Sequence, residues 1–383
     1  MYICICYMKI LFTGGGSGGH FYPIIAIAEQ IEKIVEKEKL IEPSMYYMAP
    51  EAMDERMLYD HRITFIEVKA GKRRLYKSIL NFLDVFKTGI GVIAAFFKLY
   101  SIYPDVVFAK GGFGSFPALM AARILRIPVV IHESDSVPGR VNLWAGKFAD
   151  RIAVSYPETA EFFPKSRVAW TGQPVRESIS PHSRDEAFRF LNLEPNVPVM
   201  LIIGGSQGAE ILNDVLLGSL NDLLKNWQII HQTGKANLSE VTSRVNVVVT
   251  EKLLLNRYHA FDFLSDSALA MTGGAADLVI SRAGSSIFEI ASWGVPSIIV
   301  PITVSNGNHQ RNNAFNYMKS GACLVIEEAN FSPHILLTES ERIRASDNLK
   351  QSMSLAAKKF VQKDSALKIA RELVNIAIEH GSR

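Results

Sequence analysis

Cysteine is scarce. Cys4, Cys6 and Cys323 are the only three in a chain of 383 residues; they have no metal-ligand spacing and do not support a disulfide framework, which suits a reducing cytoplasm. An excess of one charge is also lacking. With 41 basic and 38 acidic residues the net charge is +3, too small to point to nucleic acid, so any basic patch has to be judged locally. Long hydrophobic runs are missing as well. The longest uncharged apolar stretch, Thr88–Phe97, falls well short of the ~20 residues a spanning helix needs, so the chain is not expected to cross a membrane. The apolar Met1–Tyr7 lacks a basic leader region and a small-residue cleavage site. It reads as an upstream extension of a chain starting at Met8, not as a signal peptide.

What is present is a repeated opening. Lys9–Thr13 is a short apolar run with aromatic and β-branched members, and it reads as a buried strand. Gly14, Gly15, Gly16, Gly18 and Gly19 follow, and without a Cβ their backbone turns tightly and approaches a ligand closely. From His20 the pattern is helical, with Ile24, Ile25, Ala28, Ile31 and Ile34 on one side and Glu29, Glu32, Lys33 and Glu36 on the other. Strand, glycine turn and helix start suit an anion or a sugar nucleotide, because free N–H groups and the helix dipole converge there. The alternative is a close-packed turn with no ligand.

The length suggests two domains, and strands alternate with helices along the first half. Further strands are expected at Met45–Met48, Thr64–Val68, Val106–Ala109, Val129–His132, Arg151–Val154 and Val168–Thr171. A second glycine turn, Gly111–Ser115, follows the fourth strand, and a long amphipathic helix reaches about Tyr100. Pro174, Pro181, Pro195 and Pro198 then punctuate a polar stretch, where the domain boundary is placed: 1–175 and 176–363. The second half opens like the first, with the strand Val199–Ile203, the turn Gly204–Gly208 and the helix Ala209–Leu224. More βα units are expected at Gln228–His231, Val245–Val249, Leu278–Ser281, Ser297–Val300 and Cys323–Ile326. This alternation predicts an α/β fold of two Rossmann-like, doubly wound parallel sheets facing a cleft.

Gly14, Gly16 and Gly19 satisfy the dinucleotide-binding pattern, but that reading also wants an acid at the end of the second strand, and Glu51 comes too late. Other signals lie in the second half. Ser281–Ser286 links a strand to a helix whose first turn carries Glu289; amides and hydroxyls there suit a phosphate, and the carboxylate suits paired ribose hydroxyls. The polar run Asn306–Asn313 follows Pro301. Each alone could be an ordinary helix start, with Ser285 as a cap. Their shared position at strand ends favours a nucleotide pocket.

The ordered set GGSGGH, GGFGS, an HE-led loop, TGQPVR, GGSQGA, SRAGSSIFE and NHQRNNA resembles the MurG family of UDP-N-acetylglucosamine transferases over nearly the whole chain. The resemblance implies a GT-B fold and an inverting transfer of N-acetylglucosamine (GlcNAc) from UDP-GlcNAc to the C4 hydroxyl of lipid I, giving lipid II for peptidoglycan. It implies no metal and no cofactor, and a last helix from about Asp364 returning to the N-terminal domain, so that residues 364–383 pack there. By position, Ser17, Gly18 and Gly19 would approach the sugar, and Arg176 and Ser206 the diphosphate. Leu264 would meet the uracil, Ser285, Ser286 and Ile287 the phosphates, Glu289 the ribose, and Gln310 the sugar hydroxyls. Where the family usually reads His-Glu-Gln-Asn, this chain has His132-Glu133-Ser134-Asp135, so the amide contact falls on Asp135. The Arg282–Glu289 loop is one residue shorter than the family's usual form.

Inverting transfer needs a base and stabilisation of the departing UDP. His20 suits the base, since a helix N-terminus disfavours the imidazolium; His132, beside Glu133, is the alternative. A lipid-linked acceptor also requires docking on an anionic membrane surface, expected at the cytoplasmic face. Lys69, Lys72, Arg73, Arg74 and Lys77, followed by Leu75, Tyr76, Ile79, Leu80, Phe82, Leu83 and Phe86, are suited to this. Another UDP-sugar enzyme of the same fold, a glycolipid glycosyltransferase or a UDP-GlcNAc epimerase, is the competing function; a nucleotide-sensing binding protein would need no base at all.

Overall fold

A computed structural model of the protein describes residues 7–71, 79–205, 208–303 and 308–381, with only the backbone of 79–83. Cys4, Cys6, Ser206, Asn306, Gly307 and the segment from Lys72 through Lys77 therefore lie outside the described residues. The chain divides into two compact units. The first runs to Arg176 and resumes at Gln362; the second runs from Glu177 to Val361.

The first unit holds seven strands: β1 (Lys9–Thr13), β2 (Ser44–Ala49), β3 (Ile63–Glu67), β4 (Val106–Ala109), β5 (Val129–Glu133), β6 (Arg151–Val154) and β7 (Val168–Trp170). Their order is β3-β2-β1-β4-β5-β6-β7, and every pairing is parallel. Side chains alternate across such a sheet. Ile10 and Phe12 of β1 join a core with Phe21, Ile24, Ile31 and the C-terminal helix residues Ile369, Leu373 and Val374. Leu11 faces the opposite core with Val107, Ala118 and Leu119. Both faces are covered, which is why these strands read as unbroken apolar runs. The helix Ser365–Gly381 thus packs in the first unit, and Arg151 and Glu38 pair with its Glu372 and Arg371.

The second unit has β8 (Val199–Ile203), β9 (Gln228–Gln232), β10 (Tyr258–Phe261), β11 (Leu278–Ser281), β12 (Ser297–Ile299) and β13 (Cys323–Val325), in the order β10-β9-β8-β11-β12-β13. Again the pairings are parallel. In each sheet the connections run one way from the opening strand and then switch to its other side. The switch falls between β1 and β4 in one unit and between β8 and β11 in the other. Ligands of doubly wound sheets bind beyond the strand ends at such points, and the glycine loops after all four of these strands are there.

Two expectations need correction. Val245–Val249 is not a strand: Val245 lies in the helix Leu238–Val248, where Val241 and Val245 are buried four residues apart. The helical spacing of these valines outweighs their β preference. The strand taking that place is β10, whose residues are all only partly buried, so its edge position gave no apolar run. The second correction concerns the helix Ile79–Ile102. By length and composition its part Asp84–Ile102 is long and apolar enough to cross a membrane, despite the short uncharged stretch within it. It rests on the first unit through Ala95 and Leu99, while Val85, Phe86, Ile90, Ile93 and Phe97 are exposed.

Candidate active site

In the first unit the loops after β1, β4 and β5 and the segment after β7 are joined by hydrogen bonds. His20, half-buried near the start of the helix Gly18–Glu38, donates Nδ1–H to the carbonyl of Lys110 at 3.2 Å. A carbonyl only accepts, so this bond assigns the ring proton to Nδ1 and leaves Nε2 with a bare lone pair. Burial, then the charge of Lys110, push the His20 pKa down to about 4, against the pull of Asp135. The ring is neutral at pH 7. Beside it stands Gly112, with φ of 78°; a Cβ there would lie 2.8 Å from the Gly15 carbonyl and 3.1 Å from His20 Nε2. Only glycine lets the two loops close on the imidazole in this way.

His132 is placed differently. Its Nδ1 accepts from Lys110 Nζ at 2.6 Å, and its Nε2–H donates to the Gly172 carbonyl at 3.0 Å. It is fully buried, and burial together with Lys110 holds its pKa well below the ordinary value. With both nitrogens engaged inside the domain, His132 has no lone pair to offer a substrate, so the alternative base is set aside. Glu133 is occupied too. Its carboxylate accepts from the Asp135 and Gly139 amides and from Asn142 Nδ2, at 3.0, 2.9 and 2.9 Å, which folds the loop over its own strand end. Burial and the neighbouring Asp135 raise its pKa. Asp135 itself is half-buried.

Ser17 is exposed at the cap of its helix and makes no side-chain capping bond, and that helix has no acid in its first turn. Gly18 is buried and Gly19 half-buried; a Cβ on Gly18 would lie 2.7 Å from the Tyr22 ring. Arg176, where the chain leaves this unit, is buried with its guanidinium 3.8 Å from the centre of that ring, a favourable cation–π placement.

The second unit has a contrasting set of loops. Ser285 occupies the cap position of the helix Ser286–Trp293 but makes no side-chain capping bond, so the expected ordinary cap is absent. A Cβ on Gly284 would meet nothing within 4 Å, so the turn opens onto space. Uncapped amides at a helix start are what an anion satisfies. Glu289 is half-buried in the first turn of this helix. Ile287 does not fit the role expected of it: its side chain is fully buried and its amide donates to the Gly284 carbonyl at 3.2 Å. Leu264 is likewise buried, and its amide is taken by Gln232 Oε1 at 3.1 Å, leaving its carbonyl.

The turn after β11 is tied to the loop after β12. Arg282 Nη1 donates to the Val300 carbonyl at 3.1 Å and Nη2 to Glu328 Oε1 at 2.5 Å, while Glu328 Oε2 accepts from the Thr303 amide at 2.9 Å. Asn313 Nδ2 reaches the Ala283 carbonyl at 3.3 Å. Gln310 Oε1 accepts from the Ile302 amide at 3.1 Å, which turns its NH2 group to the remaining side. Ser285, Ser286, Glu289 and Gln310 therefore belong to one connected pair of loops. Leu264 belongs to another, with Gln232 Nε2 bonded to the Gly205 carbonyl at 3.2 Å.

The chain has known relatives. The glycosyltransferase family 28 N-terminal domain matches residues 10–154, and the family 28 C-terminal domain matches residues 199–369. The chain is 35% identical over 385 residues to the UDP-N-acetylglucosamine–N-acetylmuramyl-(pentapeptide) pyrophosphoryl-undecaprenol N-acetylglucosamine transferase of Treponema denticola, covering 94% of this chain and 96% of that one. A crystal structure of Acinetobacter baumannii MurG is similar at 25% identity and a TM-score of 0.70, covering 96% of this chain and 99% of that one. The chain belongs to the MurG family. The UDP-GlcNAc 2-epimerase of Neisseria meningitidis shares the fold, at 14% identity and a TM-score of 0.68 over 96% of this chain and 100% of that one.

Two residues of the first unit are not evident from the sequence pattern, Lys110 and Gln173. Lys110 is 1% exposed and binds side chains from two other loops. Its signal was a single lysine closing the apolar run Val106–Ala109, since a lysine is almost never fully buried unless partnered. Gln173, inside the TGQPVR motif, was not singled out either. The Arg282–Glu328 pair joins residues 46 apart in sequence, a separation that no local pattern reveals.

Proposed function

We propose that the protein transfers GlcNAc from UDP-GlcNAc to the C4 hydroxyl of the muramoyl sugar of lipid I, with inversion, giving lipid II for peptidoglycan synthesis. The observation that carries this reading is the match to the Treponema transferase along 94% of the chain. In the proposed reaction His20 Nε2 takes the proton of the acceptor hydroxyl as its oxygen attacks the sugar C1. The bond from C1 to the diphosphate oxygen breaks, and UDP leaves carrying the negative charge. The uncapped helix start at Ser285 and Ser286, the Gly204–Gly208 turn with Ser206, and Arg176 stabilise that charge; preorganised donors of this kind usually supply the largest catalytic contribution. Glu289 takes the ribose hydroxyls, the Leu264 carbonyl the uracil and Gln310 the sugar hydroxyls, and Ser17, Gly18, Gly19 and Asp135 are carried over as further sugar contacts. In this division residues up to Arg176 receive the acceptor and add these sugar and diphosphate contacts, and those from Glu177 to Val361 hold the nucleotide.

UDP release from UDP-GlcNAc, measured with and without a lipid-linked acceptor, tests the function. Release that depends on the acceptor and yields a disaccharide-bearing lipid is expected. Conversion of UDP-GlcNAc without acceptor would instead favour the epimerase reading, which the shared fold alone supports.

Docking on the cytoplasmic face of the membrane belongs to the same proposal. The exposed face Val85, Phe86, Ile90, Ile93 and Phe97 lies on the helix that follows the basic segment Lys69–Lys77. Basic residues beside an apolar face favour anionic lipid, at roughly 1 kcal/mol per residue near the surface. Reversing Lys72, Arg73 and Arg74 to glutamate is expected to abolish sedimentation with anionic vesicles and to spare turnover of a short acceptor analogue. Unaltered vesicle binding would rule this surface out.

A further inference from the structure

We infer that Lys110 is a positioning residue for the transfer: its carbonyl fixes the tautomer of His20, and its ammonium, seated on His132 Nδ1, Ser134 Oγ and Gln173 Oε1, is a charge built in behind that imidazole. This rests on the reading of His20 as the base.

The geometry comes first. Lys110 extends β4, its amide donating to the Thr13 carbonyl of β1 at 2.9 Å, which locks it to the strand that ends in the His20 loop. A Cβ placed on Gly14 would lie 3.4 Å from both the His20 and the Lys110 Cβ atoms, so only a glycine separates the two side chains at their base. Nζ meets His132 Nδ1 at 2.6 Å and Gln173 Oε1 at 3.4 Å, and it also meets Ser134 Oγ. An ammonium has three N–H donors, and all three are matched by neutral acceptors. His132 and Gln173 are anchored in turn, by the Gly172 carbonyl and by Ser155 Oγ at 2.8 Å. A lysine needed only to fill space would be better replaced by an apolar side chain, because burying a charge is costly. This one has a built seat.

Among the described residues of the first unit, the charges near His20 can be named. Lys110 comes from the turn after β4, Asp135 from the loop after β5, and Arg176, after β7, stacks on Tyr22 of the same helix. Glu133 and Asp135 sustain the ammonium against burial, which pushes the Lys110 pKa down to about 7. That value is above the window in which His20 takes up its proton, so the lysine is charged throughout it. Asp135 acts in the opposite sense, favouring the imidazolium. Lysine and aspartate are therefore two opposed controls on one ring.

The test is a ring-proton NMR titration of His20, assigned by the signal missing in His20→Gln. In Lys110→Met the His20 midpoint is expected to rise by about one pH unit or more, the usual reach of a nearby charge, and in Asp135→Asn to fall. The acid limb of the kcat/KM profile should move with the Lys110→Met midpoint. An unmoved midpoint in a folded Lys110→Met protein would overturn the inference. Should that variant fail to fold, an unmoved midpoint in a folded Lys110→Gln protein, which removes the charge but keeps a polar group for the same seat, would overturn it equally. A midpoint that moves while the kcat/KM limb stays in place would contradict the base reading and leave Lys110 its control of the ring.

Discussion

The strand ends of the two units are built from the same parts and equipped for different work. Beyond β1, β4 and β5 the loops gather groups that hold or move protons: His20, Lys110, His132 and Glu133, each with a displaced pKa. Beyond β11 the loop offers mainly backbone at a helix start, with the Arg282–Glu328 pair as a clasp. Burial explains the contrast. In the first unit charged side chains are drawn under the loops, where desolvation shifts their protonation. In the second the turn opens outward, where amides can meet a phosphate. The difference teaches that a repeated strand–turn–helix opening specifies a binding geometry and leaves the chemistry to the side chains behind it.

Removing the proposed proton acceptor should break this contrast most severely. His20→Ala is expected to lower kcat by about a hundred- to ten-thousand-fold, the usual range for a general base, with little change in donor KM. Steady-state kinetics over a donor series checks this, and near-normal kcat would remove His20 from the mechanism.

Glu289→Ala should act on the other side of the comparison. Loss of hydrogen bonds to a charged group costs about 1.5–3 kcal/mol, so the donor KM should rise by roughly ten- to a hundred-fold while the thermal melt stays in place. An unchanged donor KM would take Glu289 out of the site.

The smallest effect concerns stability. His20, at about 4, and His231, at about 3, are held below the ordinary histidine value by burial, the second between Tyr258 OH and Asn213 Oδ1. In both, the unfolded chain binds protons that the native state refuses. Their contribution to stability is therefore complete above about pH 6.5 and is lost as pH falls toward the folded values. Melting temperatures should drop between pH 6.5 and 5, and His231→Gln should flatten the slope. A melt insensitive to pH over that range would mean the two rings take up protons in the native state as they do in the unfolded chain.

Much of this was legible in the chain. β1, β4, β6, β8 and β11 fall at the residues their apolar runs indicated, because parallel strands covered on both faces carry no alternation to misread. The glycine turns were legible for the same reason, since the turn chemistry is local. Ile287 and Leu264 show the limit: position along a motif gave them roles, but which amides are already spent on Gly284 and Gln232 depends on folding. Lys110 shows a second limit. A lysine at a strand end looks like a solvated one until loops 22, 24 and 63 residues away supply its acceptors.

The division between proton handling and phosphate holding is tested most directly by a double-mutant cycle on His20→Ala and Glu289→Ala, read as single-turnover transfer rate and donor affinity. Independent roles predict that the double variant combines the rate loss of one with the affinity loss of the other, additive to within about 0.5 kcal/mol. A coupling well beyond that, or a His20→Ala variant that itself binds UDP-GlcNAc poorly, would contradict it.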